Sequence, residues 1–267
     1  MTALRQNVLF VGHGSPMTAI TENPERRYLA ALGEKLARPA AILCITAHWE
    51  TRGRTHVTAT GEPRTIHDFR GFPQELFDWR YPAVSPHWLV DRVTELAGTG
   101  RVVADGDWGY DHGVWGVLDL LFPGAHLPTV AMSLDRSLSV AQHLELGRAL
   151  APLRDEGVMI VGSGNVIHNL ALWRQSMGTR PEWAEAFRER INVAMLAGDV
   201  ATLLRLDAED EVVARSVNSA EHYLPLLYVA GARLPGDEVS IFNDTLDGAL
   251  SMTGYLIGDT ATLAVLQ

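Results

Sequence analysis

The chain has a single cysteine, Cys44, set inside an apolar run. One cysteine allows no disulfide within the chain, and a thiol so placed is a small buried hydrophobe before it is a nucleophile. Blocks of Lys or Arg are absent and the formal net charge is -10, so the basic footprint that phosphate backbones require is missing. Nucleic acid is therefore not an expected partner, and the acidity points to a soluble protein. No apolar run approaches the ~20 residues of a membrane span. Met1 to Asn7 has no signal-peptide hydrophobic stretch before a strand begins. The expectations are a cytoplasmic protein with no membrane partner and no obligatory protein partner. Internal repeats and low-complexity linkers are also lacking, and with 20% charged residues long disorder is not expected.

What is present is enough apolar material for a full core: 267 residues, 47% of them hydrophobic. Short continuous apolar runs recur at Val8–Val11, Ala41–Thr46, Thr129–Ser133, Val158–Val161 and Val239–Phe242. Continuous rather than alternating runs suit strands buried on both faces. Helical patterns lie between them, at Pro24–Leu36, Pro86–Leu96, Ser139–Leu153, Pro181–Leu196 and Ser219–Val229. The alternation predicts an α/β fold, a single domain over 1–267 with a central, mostly parallel sheet covered by helices on both faces. Thr55 to Val84 departs from the pattern. It is a loop broken by Gly61, Pro63, Gly71, Pro73 and Pro82, interleaved with Phe69, Phe72, Phe77, Trp79 and Tyr81. Such a segment either walls a pocket or wraps the domain surface.

Three histidines follow strand-like runs: His13 after Val8–Gly12, His48 after Ala41–Ala47, and His168 after Val158–Ile167. Ligands bind at the carboxyl ends of parallel strands, so these imidazoles suggest a metal or acid–base site. Each has a plainer reading. His13, between Gly12 and Gly14, could be a capped turn residue; His48 could pair with a carboxylate; Glu50 beside it could face solvent. Asp111 is a good N-cap, which puts His112 in a helical first turn where the dipole lowers its pKa. Gly162-Ser163-Gly164-Asn165 resembles a turn carrying a helix N-terminus to an anion, without the dinucleotide pattern. Ser163 does not fit the Gly-x-Ser-x-Gly elbow, which disfavours a serine hydrolase. Glu221-His222, at the start of a helix through Leu224 and Leu227 with Pro225 in its first turn, could be a ligand pair or plain capping. His56, His67, His87, His126 and His143 read as surface residues, His67 being the one to watch.

Taken together, Gly12-His13-Gly14-Ser15-Pro16, Thr46-Ala47-His48-Trp49, Ile66-His67-Asp68-Phe69-Arg70-Gly71-Phe72-Pro73, Tyr110-Asp111-His112-Gly113-Val114-Trp115, Gly162 to Leu170 and Glu221-His222-Tyr223-Leu224-Pro225-Leu226 are similar to known segments. The chain resembles the class III extradiol ring-cleavage dioxygenases of the LigB-type superfamily, in their bacterial 4,5-DOPA dioxygenase branch. The likeness spans nearly the whole chain in the family's order. It implies a mononuclear metal, Fe(II) for activity with Zn(II) able to occupy the site. It implies His13, His48 and His222 as metal ligands, with His168 at the metal or beside it. In the broader class the triad is two histidines and a carboxylate, and the matching place here is Glu221-His222. The resemblance further implies His168 as acid–base residue with His112 as its partner, and a small catechol and O2 as reactants. The plant branch's His-Pro-rich motif is not found. The competing functions are a zinc-dependent hydrolase using the same ligands to activate water and a non-catalytic metal-binding protein of the same fold.

Overall fold

The structure, a computed structural model, describes residues 4–98, 100–124 and 127–259. Its strands are β1 (Val8–Gly12), β2 (Ala41–Thr51), β3 (Thr55–Thr58), β4 (Val102–Asp105), β5 (Thr129–Asp135), β6 (Val158–Gly164), β7 (Glu238–Phe242), β8 (Leu246–Asp247), β9 (Leu250–Ser251) and β10 (Gly254–Gly258). The helices are α1 (Pro24–Lys35), α2 (Gln74–Asp78), α3 (His87–Ala97), α4 (His112–Leu121), α5 (Val140–Leu150), α6 (Leu170–Ser176), α7 (Glu182–Ala197), α8 (Val200–Leu203), α9 (Glu211–Ser216) and α10 (Leu224–Gly231). Eight strands form one sheet in the order β4-β3-β5-β2-β6-β1-β10-β7, and β8 with β9 forms a separate ribbon.

The centre of the sheet, β5-β2-β6-β1, is parallel throughout. Antiparallel pairings enter at its flanks, between β3 and β5, β1 and β10, and β10 and β7. Alternate residues of the central strands enter two different cores. Val8, Phe10, Leu43, Ile45 and Ile160 pack under α3, α5, α7 and α10, whereas Leu9, Val11, Cys44, Met159 and Val161 pack under α1 and α4. Both faces of each strand are thus apolar, which is why these runs are continuous in sequence. No helix among the described residues is long and apolar enough to cross a membrane.

All five expected strands form, four with small extensions; β2 runs on to Thr51 and so takes in His48, which the sequence places after the strand. Four corrections follow. Thr55–Val84 is not all loop, since it opens with β3 and contains α2. The 162–165 stretch is not a turn into a helix: β6 runs to Gly164, and α6 starts only at Leu170 under an Asn169 cap. The last expected helix begins at Leu224 rather than Ser219, because residues up to Tyr223 form turns, and Pro225 lies in its first turn. His143 is not on the surface. It is buried, with Nδ1 3.0 Å from the Tyr228 hydroxyl. His87 is exposed and pairs with Asp91, while His56 is half-buried against Asp105 at 2.7 Å. His126 lies outside the described residues.

His143 gives a pH prediction far from any candidate ligand. Burial pulls its imidazole down to about 4. A histidine whose folded value lies below its unfolded one favours folding while neutral. That contribution is complete above pH ~6.5 and is lost as pH falls from there through about 4, where the unfolded chain takes a proton that the folded chain refuses. The total is about 3 kcal/mol. In urea titrations, His143→Gln should flatten the stability profile between these limits by up to ~1.4 kcal/mol per pH unit relative to wild type. An unchanged slope would mean that His143 takes up its proton as readily in the fold as in the unfolded chain.

Candidate active site

The parallel strands β1, β2 and β6 end on the same edge of the sheet. His13 follows β1 directly. His48 lies inside β2, where the pairing with β5 slips: Ile45 faces Met132 but Glu50 faces Leu134, so extra residues bulge out of the ladder. Such a bulge re-aims a side chain beside a site. Glu50 beyond it is exposed and pairs with Arg136. His222 arrives on the turn before α10, and β6 is shaped to receive it. A Cβ on Gly164 would sit 2.1 Å from the His222 carbonyl oxygen, so only glycine fits. Asn165 donates its backbone N–H to that oxygen at 2.8 Å and its side-chain amide to the His13 carbonyl at 2.8 Å. The Gly-Ser-Gly-Asn run is therefore a bracket holding two histidine backbones. Gly164→Ala should cost at least about 1–3 kcal/mol of stability, typical of overpacking, and displace His222. Thermal denaturation and metal content would check this; a wild-type value for both would show that the turn yields freely.

Nε2 of His13 lies 2.9 Å from Nε2 of His48, and one donor atom from each of His13, His48 and His222 falls within 4.8 Å of the other two. Nδ1 of each ring is anchored. His13 Nδ1 meets Ser163 Oγ at 2.8 Å, His48 Nδ1 meets Asp68 Oδ2 at 2.8 Å, and His222 Nδ1 meets Glu221 Oε1 at 3.1 Å. Partners of this kind fix ring orientation and tautomer in metal sites. Two bare imidazole nitrogens at 2.9 Å repel unless a proton or a cation lies between them. Imidazoles bound cis to one ion at about 2.0–2.1 Å stand about 3 Å apart. Three nitrogen donors without a thiolate suit iron or zinc, so the residues fit a single metal ion.

His13 and His222 are 8% and 7% exposed. Burial, reinforced by the neighbouring imidazoles, holds both well below the ordinary histidine pKa, which leaves neutral rings with a free lone pair. Burial also pulls on His48, but Asp68, Asp111 and Glu221 outweigh it and raise its pKa. Burial pushes the Asp68 carboxyl up, yet hydrogen bonds from His112 and His48 prevail and hold it below the usual carboxylate range.

His112 and His168 stand beside this group. His112 opens α4 above Asp111, whose carboxylate accepts from Val114 N–H and, at 2.7 Å, from the Thr46 hydroxyl. The predicted cap is present. The His112 pKa is lowered, as the sequence suggested, but burial and then His48 are the causes. Its ring meets His48 edge-on at 4.0 Å. His168 stacks on His222 with centroids 3.5 Å apart, and its ring nitrogen groups with Glu221 and His222 rather than with His13 and His48. Burial brings His168 down to about 4.

The 55–84 segment divides its aromatics. Phe69 reaches the site, 5.8 Å from the His112 ring, and packs on Phe72 and Trp115. Trp79 stacks on Trp115, while Tyr81 turns inward to Tyr110. His67 is half-buried, with Nε2 3.2 Å from the Trp79 carbonyl. A small crevice beside His13 and His112 is lined by Gly14, Glu25, Leu29 and Gly116. Sequence reasoning gave no role to Asp68, although it lies in the quoted His-Asp-Phe run, and weighed Ser163 only as a nucleophile.

His13, His48, His112, His168 and His222 thus gather at the carboxyl edge of a parallel-centred α/β sheet. Residues 8–249 match the family described as the catalytic LigB subunit of aromatic ring-opening dioxygenase, and the chain belongs to that family. It is 44% identical over 266 residues to a protein of Escherichia coli (strain K12) named 4,5-DOPA dioxygenase extradiol, covering 97% of each chain. A Beta vulgaris protein of the same name is 34% identical over 261 residues, covering 93% of this chain and 95% of that one. A crystal structure of an uncharacterized Escherichia coli K12 protein superposes with a TM-score of 0.80 at 37% identity, covering 95% of this chain and all of that one.

Proposed function

We propose that the protein is an iron(II)-dependent extradiol dioxygenase that opens the ring of a catechol such as DOPA with O2. One observation carries this reading: three imidazoles, each with Nδ1 anchored, each place a ring nitrogen within 4.8 Å of the other two, with two further imidazoles beside them. His13, His48 and His222 would hold the ion, with Glu221 orienting His222. When bound, Fe(II) supplies open coordination positions where catechol and O2 meet as an oriented pair. Zn(II) could occupy the same ligands.

The remaining chemistry belongs to the chain. Ring opening adds both oxygen atoms of O2 and needs no outside proton, yet a hydroxyl proton has to leave the catechol and reach an oxygen of the opening ring. His112 and His168 are the groups that would move it, being neutral imidazoles beside the ion's ligands. With His112 Nδ1 engaged by Asp68 at 2.8 Å, its Nε2 is the exchanging atom. Phe69 offers a flat apolar contact for the ring. An anaerobically iron-loaded sample mixed with a panel of catechols in air should give a yellow ring-opened product and consume O2. Ester hydrolysis by the zinc form, with no O2 uptake by the iron form, would instead establish the hydrolase.

A further inference from the structure

The 66–73 loop sends one carboxylate into the histidine cluster. Asp68 Oδ2 lies 2.8 Å from Nδ1 of His48 and 2.8 Å from Nδ1 of His112, while Oδ1 accepts the backbone N–H of His112 at 3.0 Å. An aspartate that accepts three N–H bonds leaves each ring no choice of tautomer. Nδ1 carries the proton, and Nε2 is the atom turned to other work. The three residues come from separate parts of the chain: His48 from a bulge in β2, His112 from the first turn of α4, and Asp68 from the loop itself.

We infer that Asp68 is a positioning residue that sets the rotation and tautomer of His48 and His112 together, so that metal capture and proton transfer share one anchor. The inference rests on the reading above, in which His48 holds the ion and His112 moves a proton. The geometry favours this role over simple loop anchoring. The loop is already docked by the Ile66 N–H to the Tyr110 carbonyl at 2.7 Å and by the Trp115 indole N–H to the Ile66 carbonyl at 2.9 Å; the two ring contacts are additional and converge on a single oxygen. Asp68 need not touch the substrate.

Two measurements test it. In metal-free protein carrying 15N-labelled histidine, long-range 15N–1H correlation spectra at pH 8 should show a proton on Nδ1 of both His48 and His112, assigned with His48→Ala and His112→Phe. A bare Nδ1 on either ring overturns the inference. In Asp68→Asn, one amide NH2 replaces a carboxylate oxygen and cannot accept, so the three bonds cannot all persist. Zinc affinity, measured by competition with a chelating dye, should fall about 10–100-fold. The rate of the iron form should fall through kcat with KM nearly unchanged. Wild-type zinc affinity and kcat in a folded Asp68→Asn protein would overturn it. If that variant does not fold, the wild-type spectra still decide. Because tautomer and zinc affinity are read without any catechol, a positive result there alongside no ring cleavage would refute the catechol reading and leave the positioning role intact.

Discussion

His48→Ala is expected to fold and to lose stoichiometric metal. His48 sits in a bulge outside the regular β2–β5 ladder and its ring meets the imidazoles of His13, His112 and His222, so its removal is not expected to open a cavity of the kind left by a core apolar side chain. Its loss removes one of the three donors that His13, His48 and His222 place within 4.8 Å of one another. Losing an outer partner of a metal ligand costs about 10–100-fold in affinity, and losing the ligand itself should exceed that. Metal analysis after gel filtration, beside circular dichroism for the fold, makes the comparison. A folded His48→Ala protein with full metal content would take His48 out of the ligand set.

Replacing His112 by Phe or His168 by Gln should leave most of the metal and lower turnover by about 10² to 10⁴, the range for loss of a general acid or base. Neither ring belongs to the three-histidine group, yet both are within ring contact of it. If each supplies one ionisation of a bell-shaped pH–rate profile, each variant should lose one limb. His168 lies closer to a ligand, because it stacks on His222 and groups with Glu221 and His222. A His168→Gln protein without metal would make His168 a ligand and leave His112 as the main proton carrier. A His112→Phe protein with wild-type turnover and profile would reduce His112 to the first residue of α4.

The parts of the molecule legible in sequence are those whose signal is local. Val8–Gly12, Ala41–Ile45 and Val158–Val161 are apolar at every position because both sheet faces are covered, and the histidines follow at their ends. Asp111 advertises its cap and so places His112. What stayed hidden depends on distant partners. Thr55-His56-Val57-Thr58 is too polar to announce a strand, and β3 exists because β4 and β5 pair with it. The Tyr255-Leu256-Ile257 run of β10 becomes a strand by lying between β1 and β7. His143 sits on a helix whose pattern marks it as polar surface. It is buried because Gly147 and Gly231 let α5 and α10 close: a Cβ at either would stand 2.4 or 2.3 Å from a backbone oxygen across the contact. Asp68 is 20 residues from His48 and 44 from His112 in sequence, so only the folded loop reveals what it joins.

The measurement that bears most directly on the account is turnover under 18O2. Iron-loaded protein is mixed with DOPA, and the product is reduced at once with borohydride so that its aldehyde oxygen cannot exchange with water. A ring-cleaving dioxygenase places both labelled atoms in the opened ring, and the mass spectrum should show a product carrying two 18O. A product without label, formed equally well under argon, would mean that the histidine cluster activates water instead, and the dioxygenase reading of this site would be wrong.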